Sequence, residues 1–394
     1  MKAAGCLCWS PRSLLTGGSS ISHFFHYYHF VAVIILVFLS LGPSAGNALS
    51  WHDIRSRLSC RIRPCVTTSA STTWPRQPSA LSDKSLTRIA NRVASAEAQA
   101  DFNRTLDTIC VERQPGTAAH EKVREFIESE LRALDWTIEE DSFSAPTPRG
   151  QKPFTNIVAT LDPSACHRVV LACHYDSKVM RNFEGATDSA VPCSQMLSIV
   201  KLLDPELKAH VDRKSGLTLQ LIFFDGEEAF KTWSSTDSLY GARHLADLWH
   251  RSPFDSDKAH CQSSAAEKSI VNELDRIEVF VLLDLLGTKN PTFYSFFADT
   301  KQLFDQMTEI EVRLNRLGLM EGRTKYFTGR SQFGAIEDDH IPFMRRDVPI
   351  LHIIAHPFPR VWHTISDNKQ NLDWPTMWNL NKIFTAFVAW YMEL

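Results

Sequence analysis

Past about residue 105 the hydrophobic positions of this chain change period repeatedly. In "AAHEKVREFIESELRAL", Val123, Phe126, Ile127, Leu131 and Leu134 recur at helical spacing and predict an amphipathic helix. "TNIVATL" and "RVVLAC" read as strands, and "SAVPCSQMLSIVKLL" as a helix. "LTLQLIFF", "IEVFVLLDLLG" and "VPILHII" are near-continuous apolar runs, the pattern of central strands covered on both faces. "WNLNKIFTAFVAWYM" closes the chain as a helix with Leu380, Ile383, Phe384, Phe387 and Tyr391 on one side. Buried strands alternating with helices predict an α/β fold: one globular domain with a central mixed, mostly parallel sheet flanked by helices.

The N-terminus has a different pattern. "HFFHYYHFVAVIILVFLSLG" carries an apolar core at residues 30–42, Lys2 and Arg12 precede it, and the first acid is Asp53. A positive flank before an apolar run predicts an ER-targeting segment, either a signal anchor after a cytosolic stretch 1–29 or a cleaved signal peptide whose n-region is 1–29. Residues 43–95, rich in Ser, Thr, Arg and Pro, are expected to form a flexible stem. Residues 96–394 then form the domain that carries the chemistry, in the secretory lumen: Golgi membrane as a type II protein, or secreted if the leader is removed. In that compartment "NRT" at Asn103 is a usable glycosylation sequon, whereas "NPT" at Asn290 is not. Seven of the nine cysteines follow the leader, an odd number that leaves at least one free or paired between chains. For Cys60, Cys65, Cys110, Cys166 and Cys261 the spacing assigns no partner. A net charge of −3 on 394 residues gives no basis for a nucleic-acid partner.

In α/β sheets, chemistry gathers at the carboxyl ends of the strands. "VVLAC" is followed by His174, Tyr175 and Asp176, and "LQLIFF" by Asp225, Glu227 and Glu228. "VFVLLD" ends on Asp284, and the loop after "ILHII" reaches His363. Asp188 sits at the start of a predicted helix, where it could equally be an N-cap. A set of His, Asp and Glu at one rim is the ligand chemistry of zinc, and Asp188, Glu228 and His363 would supply three ligands and leave one position open. Adjacent residues leaving a strand point in different directions, so Glu227 would stay near the cation without binding it and could act as general acid and base.

"ACHYDSK", "GATDSAVPC", "LIFFDGEEAF", "SLYGARHLA", "VLLDLLGTKNPTF", "DDHIPFMRR" and "PFPRVWHT" together resemble animal glutaminyl-peptide cyclotransferases (glutaminyl cyclases), members of the zinc aminopeptidase-like superfamily. The resemblance runs from about residue 105 to the C-terminus, and the leader resembles that of the Golgi-resident branch. It implies one zinc per chain on Asp188, Glu228 and His363, with Glu227 as proton shuttle. Asp284 and Asp338 would be an acidic pair beside Glu227 sharing a hydrogen-bond network. Trp233, Ile336, Phe358 and Trp362 would line the substrate pocket, and Cys173 and Cys193 would form a disulfide near it. His174 and His352 are expected to be hydrogen-bonded structural groups. Glu337, His356 and Arg360 depart from the family pattern and are expected to change the charge of the rim.

The implied reaction converts the N-terminal glutamine of a peptide or protein to pyroglutamate with release of ammonia. The substrates would be peptides, and the catalytic domain is expected to be monomeric. A two-zinc aminopeptidase, with His174 and Asp284 as further ligands, is an alternative on the same scaffold. So is a lumenal binding protein that has lost catalysis.

Overall fold

The computed structural model describes residue 76 and residues 78–394, except 256–258, 260–269, 323–324, 333 and 335. The apolar segment 30–42, most of the expected stem, and Cys60, Cys65 and Cys261 lie outside the described residues. Among those described, no helix is long and apolar enough to cross a membrane.

Six strands form the central sheet: β1 (Thr137–Thr147), β2 (Gly150–Thr160), β3 (His167–His174), β4 (Leu217–Phe224), β5 (Ile277–Asp284) and, numbered β8 in chain order, Ile350–Ile354, arranged β1-β2-β4-β3-β5-β8. β1 pairs antiparallel with β2 and β2 with β4; the β4–β3, β3–β5 and β5–β8 pairings are parallel. The mixed, mostly parallel sheet expected from the apolar runs is therefore present. β6 (Phe293–Ser295) and β7 (Phe327–Ser331) make a separate two-stranded ribbon.

Side-chain alternation divides the core between the two faces of the sheet. Val169, Leu171 and Cys173 of β3, with Leu219, Leu221 and Phe223 of β4, face the larger apolar cluster. Val170, Ala172, Ile222 and Phe224 face the smaller one. Strands buried on both faces favour apolar residues at every position, which is why these segments read as near-continuous apolar runs. Over the larger face pack α1 (Asp83–Val93), α2 (Ala96–Ile109), α3 (Ala118–Arg132), α4 (Val191–Asp212), α6 (Lys301–Arg316) and α8 (Trp374–Tyr391). Over the smaller face lie α5 (Tyr240–Arg251) and the one-turn α7 (Ile341–Met344).

One boundary is corrected. The expected stem, 43–95, contains α1, whose Leu86, Ile89 and Ala90 are buried against the core and whose Val93 is also buried. Ser82 starts the helix by accepting the N–H of Ser85. Arg76 reaches Glu278 of β5 at 2.8 Å, and Pro78 accepts the indole N–H of Trp390. The folded domain thus includes these residues, ahead of position 96.

Candidate active site

The four parallel strands end on one rim, at His174, Phe224, Asp284 and Ile354. Chain order reverses at β3, which has β4 on one side and β5 on the other, so a crevice opens where their connections diverge.

Asp188 enters this crevice from a five-residue π turn, Ala186–Ala190, that leads into α4. It is not a cap: α4 begins after Ala190 with no side-chain cap bond. The turn is held from beneath by Arg113, which is fully buried and donates to the carbonyls of Tyr175 at 2.8 Å, Gly185 at 3.0 Å and Asp188 at 3.3 Å. Asp367 holds its other side, its carboxylate accepting the Thr187 N–H at 2.8 Å and its carbonyl that of Ala186. Burial, then the nearby Asp188, pushes the Asp367 carboxyl up to about 7. Because Asp367 lies four residues after His363, the Asp188 turn and the His363 loop are fastened together. Neither Arg113 nor Asp367 is identified by sequence reasoning, since each binds backbone brought near only by folding.

Glu227 and Glu228 leave the end of β4 through Gly226, whose φ of +69° disfavours any side chain. A Cβ there would also stand 2.4 Å from the Phe154 ring. The N–H groups of Leu239, Tyr240 and Gly241 bond the carbonyls of Glu227, Gly226 and Asp225, lacing this turn to the start of α5. Asp176, beyond β3, accepts the N–H of Glu227 at 3.1 Å and of Glu228 at 3.3 Å. Asp225 is fully buried, 3.0 Å from His120 Nε2 and accepting the Thr155 N–H at 2.8 Å.

Asp188, Glu228 and His363 are brought together as a candidate metal site. His363 Nε2 is 3.4 Å from Asp188 Oδ2 and 3.3 Å from Glu228 Oε1. Both oxygens are buried without a hydrogen-bond partner. A tetrahedral zinc with bonds of about 2.0–2.2 Å has ligand–ligand edges of roughly 3.3–3.6 Å. The separations match those edges, and the orphaned oxygens are what a cation would satisfy. The other oxygen of Glu228, Oε2, accepts from Lys178 at 2.9 Å. Burial alone would lower His363, but Asp188 and Glu228 overcome it and push the imidazole up to about 9.

Two further clusters of ligand-type residues are buried nearby. His174, Asp188 and Asp284 converge, with His174 Nε2 3.0 Å from Asp188 Oδ1 and 3.6 Å from Asp284 Oδ1. In the other, His352 Nε2 and Asp338 Oδ2 are 2.7 Å apart, a hydrogen bond and shorter than a zinc edge. His352 is therefore the hydrogen-bonded group expected.

Glu227 lies beside the metal-type triad. Burial holds its carboxyl well above the usual range; Glu228, Asp338 and Asp339 add to that and His174 opposes it. Asp284 accepts a hydrogen bond from the Ser189 hydroxyl, and burial followed by repulsion from Asp338 pushes it up to about 6. Burial would raise Asp338 too, but the His352 hydrogen bond wins and keeps it low. Neighbouring carboxylates are thus driven apart in proton affinity, the arrangement by which one site holds both an acid and a base.

A cavity of about 450 Å³ unites these groups: Asp188, Glu227, Glu228, Asp284, Asp338 and His363 line it, together with Trp233, Ile336, Phe358 and Trp362. All ten sequence-expected catalytic, metal and pocket positions meet there. Trp362 stacks on His363 with ring centroids 3.9 Å apart, and Phe358 packs edge-on against Trp362. Asp237 shapes the loop to Trp233 by accepting the N–H groups of Phe230, Lys231 and Thr232. Of the three departures from the family pattern, Glu337 lines the cavity, whereas His356 and Arg360 do not.

Two other expectations fare differently. Cys173 and Cys193 are free, buried thiols, not a disulfide. Cys193 Sγ approaches the His174 carbonyl at 3.1 Å and is also hydrogen-bonded with the Cys173 thiol, which burial pushes up. Cys166 is disulfide-bonded. Asn103 is half-buried within α2, and Thr105 of its sequon is buried.

A mostly parallel sheet with two carboxylates and an imidazole poised for a cation at its carboxyl rim defines the zinc aminopeptidase-like class. Residues 156–388 match Peptidase family M28. A glutaminyl-peptide cyclotransferase-like protein of Bos taurus is 46% identical over 316 residues, covering 78% of this chain and 79% of that one. The glutaminyl-peptide cyclotransferase of Bos taurus is 43% identical over 331 residues, 81% of this chain and 88% of that one. The crystal structure of Macrostomum lignano glutaminyl cyclase superposes with a TM-score of 0.73 at 35% identity, covering 82% of this chain and 96% of that one. The chain belongs to Peptidase family M28 and, within it, to the glutaminyl-peptide cyclotransferases.

Proposed function

We propose that this chain cyclises the N-terminal glutamine of peptides and proteins to pyroglutamate, releasing ammonia. The observation that carries this reading is a cavity lined by Glu227, the metal-type triad and the aromatic side chains together. Asp188, Glu228 and His363 would hold one zinc, which when bound supplies Lewis acidity to the side-chain amide carbonyl of the substrate. Glu227 takes a proton from the α-amine as that nitrogen attacks the amide carbon, and delivers one to the departing nitrogen. A carboxyl raised by burial is suited to both halves of that task. Asp284 and Asp338 orient Glu227 and the amide NH₂, while Trp233, Ile336, Phe358 and Trp362 enclose the side chain and exclude water. The C–N bond that forms closes the lactam, and the C–N bond that breaks releases ammonia, so no water is consumed.

The His174–Asp188–Asp284 cluster favours a second reading, a two-metal aminopeptidase. Ser189 already bonds Asp284 Oδ1, which fits the one-metal site better. An inactive binding protein would have no need to keep all these groups convergent. The apolar leader supports a lumenal enzyme of the secretory pathway, anchored in the Golgi or secreted, acting as a monomer on peptide substrates. Ammonia release from a glutamine-started peptide, with the glutamate-started peptide as control, tests the cyclase reading. Hydrolysis of the first peptide bond instead would favour the aminopeptidase.

A further inference from the structure

Glu337 is the carboxylate of the cavity to which the reaction above gives no task. Five other acids line the same space: Asp188, Glu227, Glu228, Asp284 and Asp338. All five are buried, while Glu337 is exposed. Its Oε2 accepts the indole N–H of Trp233 at 2.8 Å, which fixes both side chains relative to the cavity. Among the described residues no lysine or arginine lines the cavity beside it, and the ammonium of Lys178 is engaged by Glu228.

A dication on Asp188, Glu228 and His363 would offset the charges of those two carboxylates and leave Glu337 at the solvent side without a cationic partner among the described lining residues. With the glutamine side chain directed inward, the rest of the peptide must leave through the open side. Glu337, exposed and bonded to the cavity-lining Trp233, is placed to face the second residue of the peptide as it leaves. We infer that Glu337 selects the residue following the N-terminal glutamine, favouring a cationic side chain and disfavouring an acidic one. This rests on the cyclotransferase reading above.

The effect belongs to an exposed charge, so it is modest and screened by salt. Three peptides test it, identical except for lysine, alanine or glutamate after the N-terminal glutamine, with ammonia release measured as kcat/KM at low ionic strength. The wild type is expected to prefer lysine over glutamate by roughly tenfold, with alanine between. Glu337→Gln keeps an oxygen for the Trp233 indole and removes only the charge. In that variant the ratio is expected to fall to about two or less, and raising salt should shrink the wild-type ratio towards the same value. An equal ratio in the two enzymes overturns the assignment. No ammonia from any of the three peptides with the wild type overturns the cyclotransferase reading, and the selectivity with it.

Discussion

Asp176 Oδ1 accepts the backbone N–H of Glu227 at 3.1 Å, while its second oxygen takes that of Glu228 at 3.3 Å. One buried carboxylate thus sets the direction of both adjacent glutamates without touching the cavity they line. Burial raises the Asp176 carboxyl, but His174 and the Glu227 N–H outweigh it and keep it low.

Replacing Asp176 with alanine leaves two buried N–H groups unpaired, at a cost of about 1–3 kcal/mol each. It also frees the Glu227–Glu228 turn. A displacement of about 1 Å at a reacting group can lower turnover by roughly a hundredfold. The expected result is a fall in kcat larger than the change in KM, with metal content near that of wild type. Steady-state kinetics beside metal analysis check it; an unchanged kcat would remove Asp176 from the positioning role.

Gly226→Ala would drive a methyl group into the Phe154 ring at a backbone angle that opposes it. The expected loss is on the order of 3 kcal/mol. Thermal unfolding measures it. A Tm within a degree or so of wild type would show that the turn can shift, and that Gly226 does not fix the glutamates.

The fold and most of the site were legible because both rest on strong local signals. "LTLQLIFF" became β4 at its own boundaries, since every position of a strand covered on both faces is buried, here including Thr218 and Gln220. The convergent residues followed strand ends, where topology alone places chemistry. α1 was missed although Leu86, Ile89, Ala90 and Val93 are spaced as one helical face; the surrounding Ser, Thr and Arg masked that period. β1 was missed because "TIEEDSFSAPT" is a largely exposed edge strand. Arg113, Asp367 and Asp237 left no local trace, because each satisfies backbone groups of loops distant from itself or shaped only on folding. The Cys173–Cys193 disulfide came from resemblance, and spacing alone could not test it.

Glu311 links stability to pH away from the site. It is buried, and burial pushes it up to about 7, opposed by the N–H groups of Tyr326 and Phe327. The unfolded chain releases that proton near 4.5, so between 4.5 and 7 the native state binds more protons than the unfolded one. Stability therefore falls as pH rises through that window and levels off above it. Unfolding midpoints of wild type and Glu311→Gln across the window check this: the variant should lack that part of the slope. Parallel profiles would contradict it.

The purified protein is expected to hold one zinc. Chelation should abolish ammonia release and added zinc restore it, while His363→Ala should bind zinc at least tenfold more weakly. Two tightly held zinc ions per chain, with His174→Ala losing only one of them, would support the two-metal alternative instead.

The most direct test uses one glutamine-started peptide, followed by mass spectrometry with wild type and Glu227→Gln, zinc content being measured in both. Wild type is expected to convert the peptide completely to its pyroglutamyl form. The variant is expected to lose at least about a hundredfold in rate with its zinc retained. Conversion by the variant at a rate near that of wild type would contradict the assignment of Glu227 as the proton carrier between the substrate's two nitrogens.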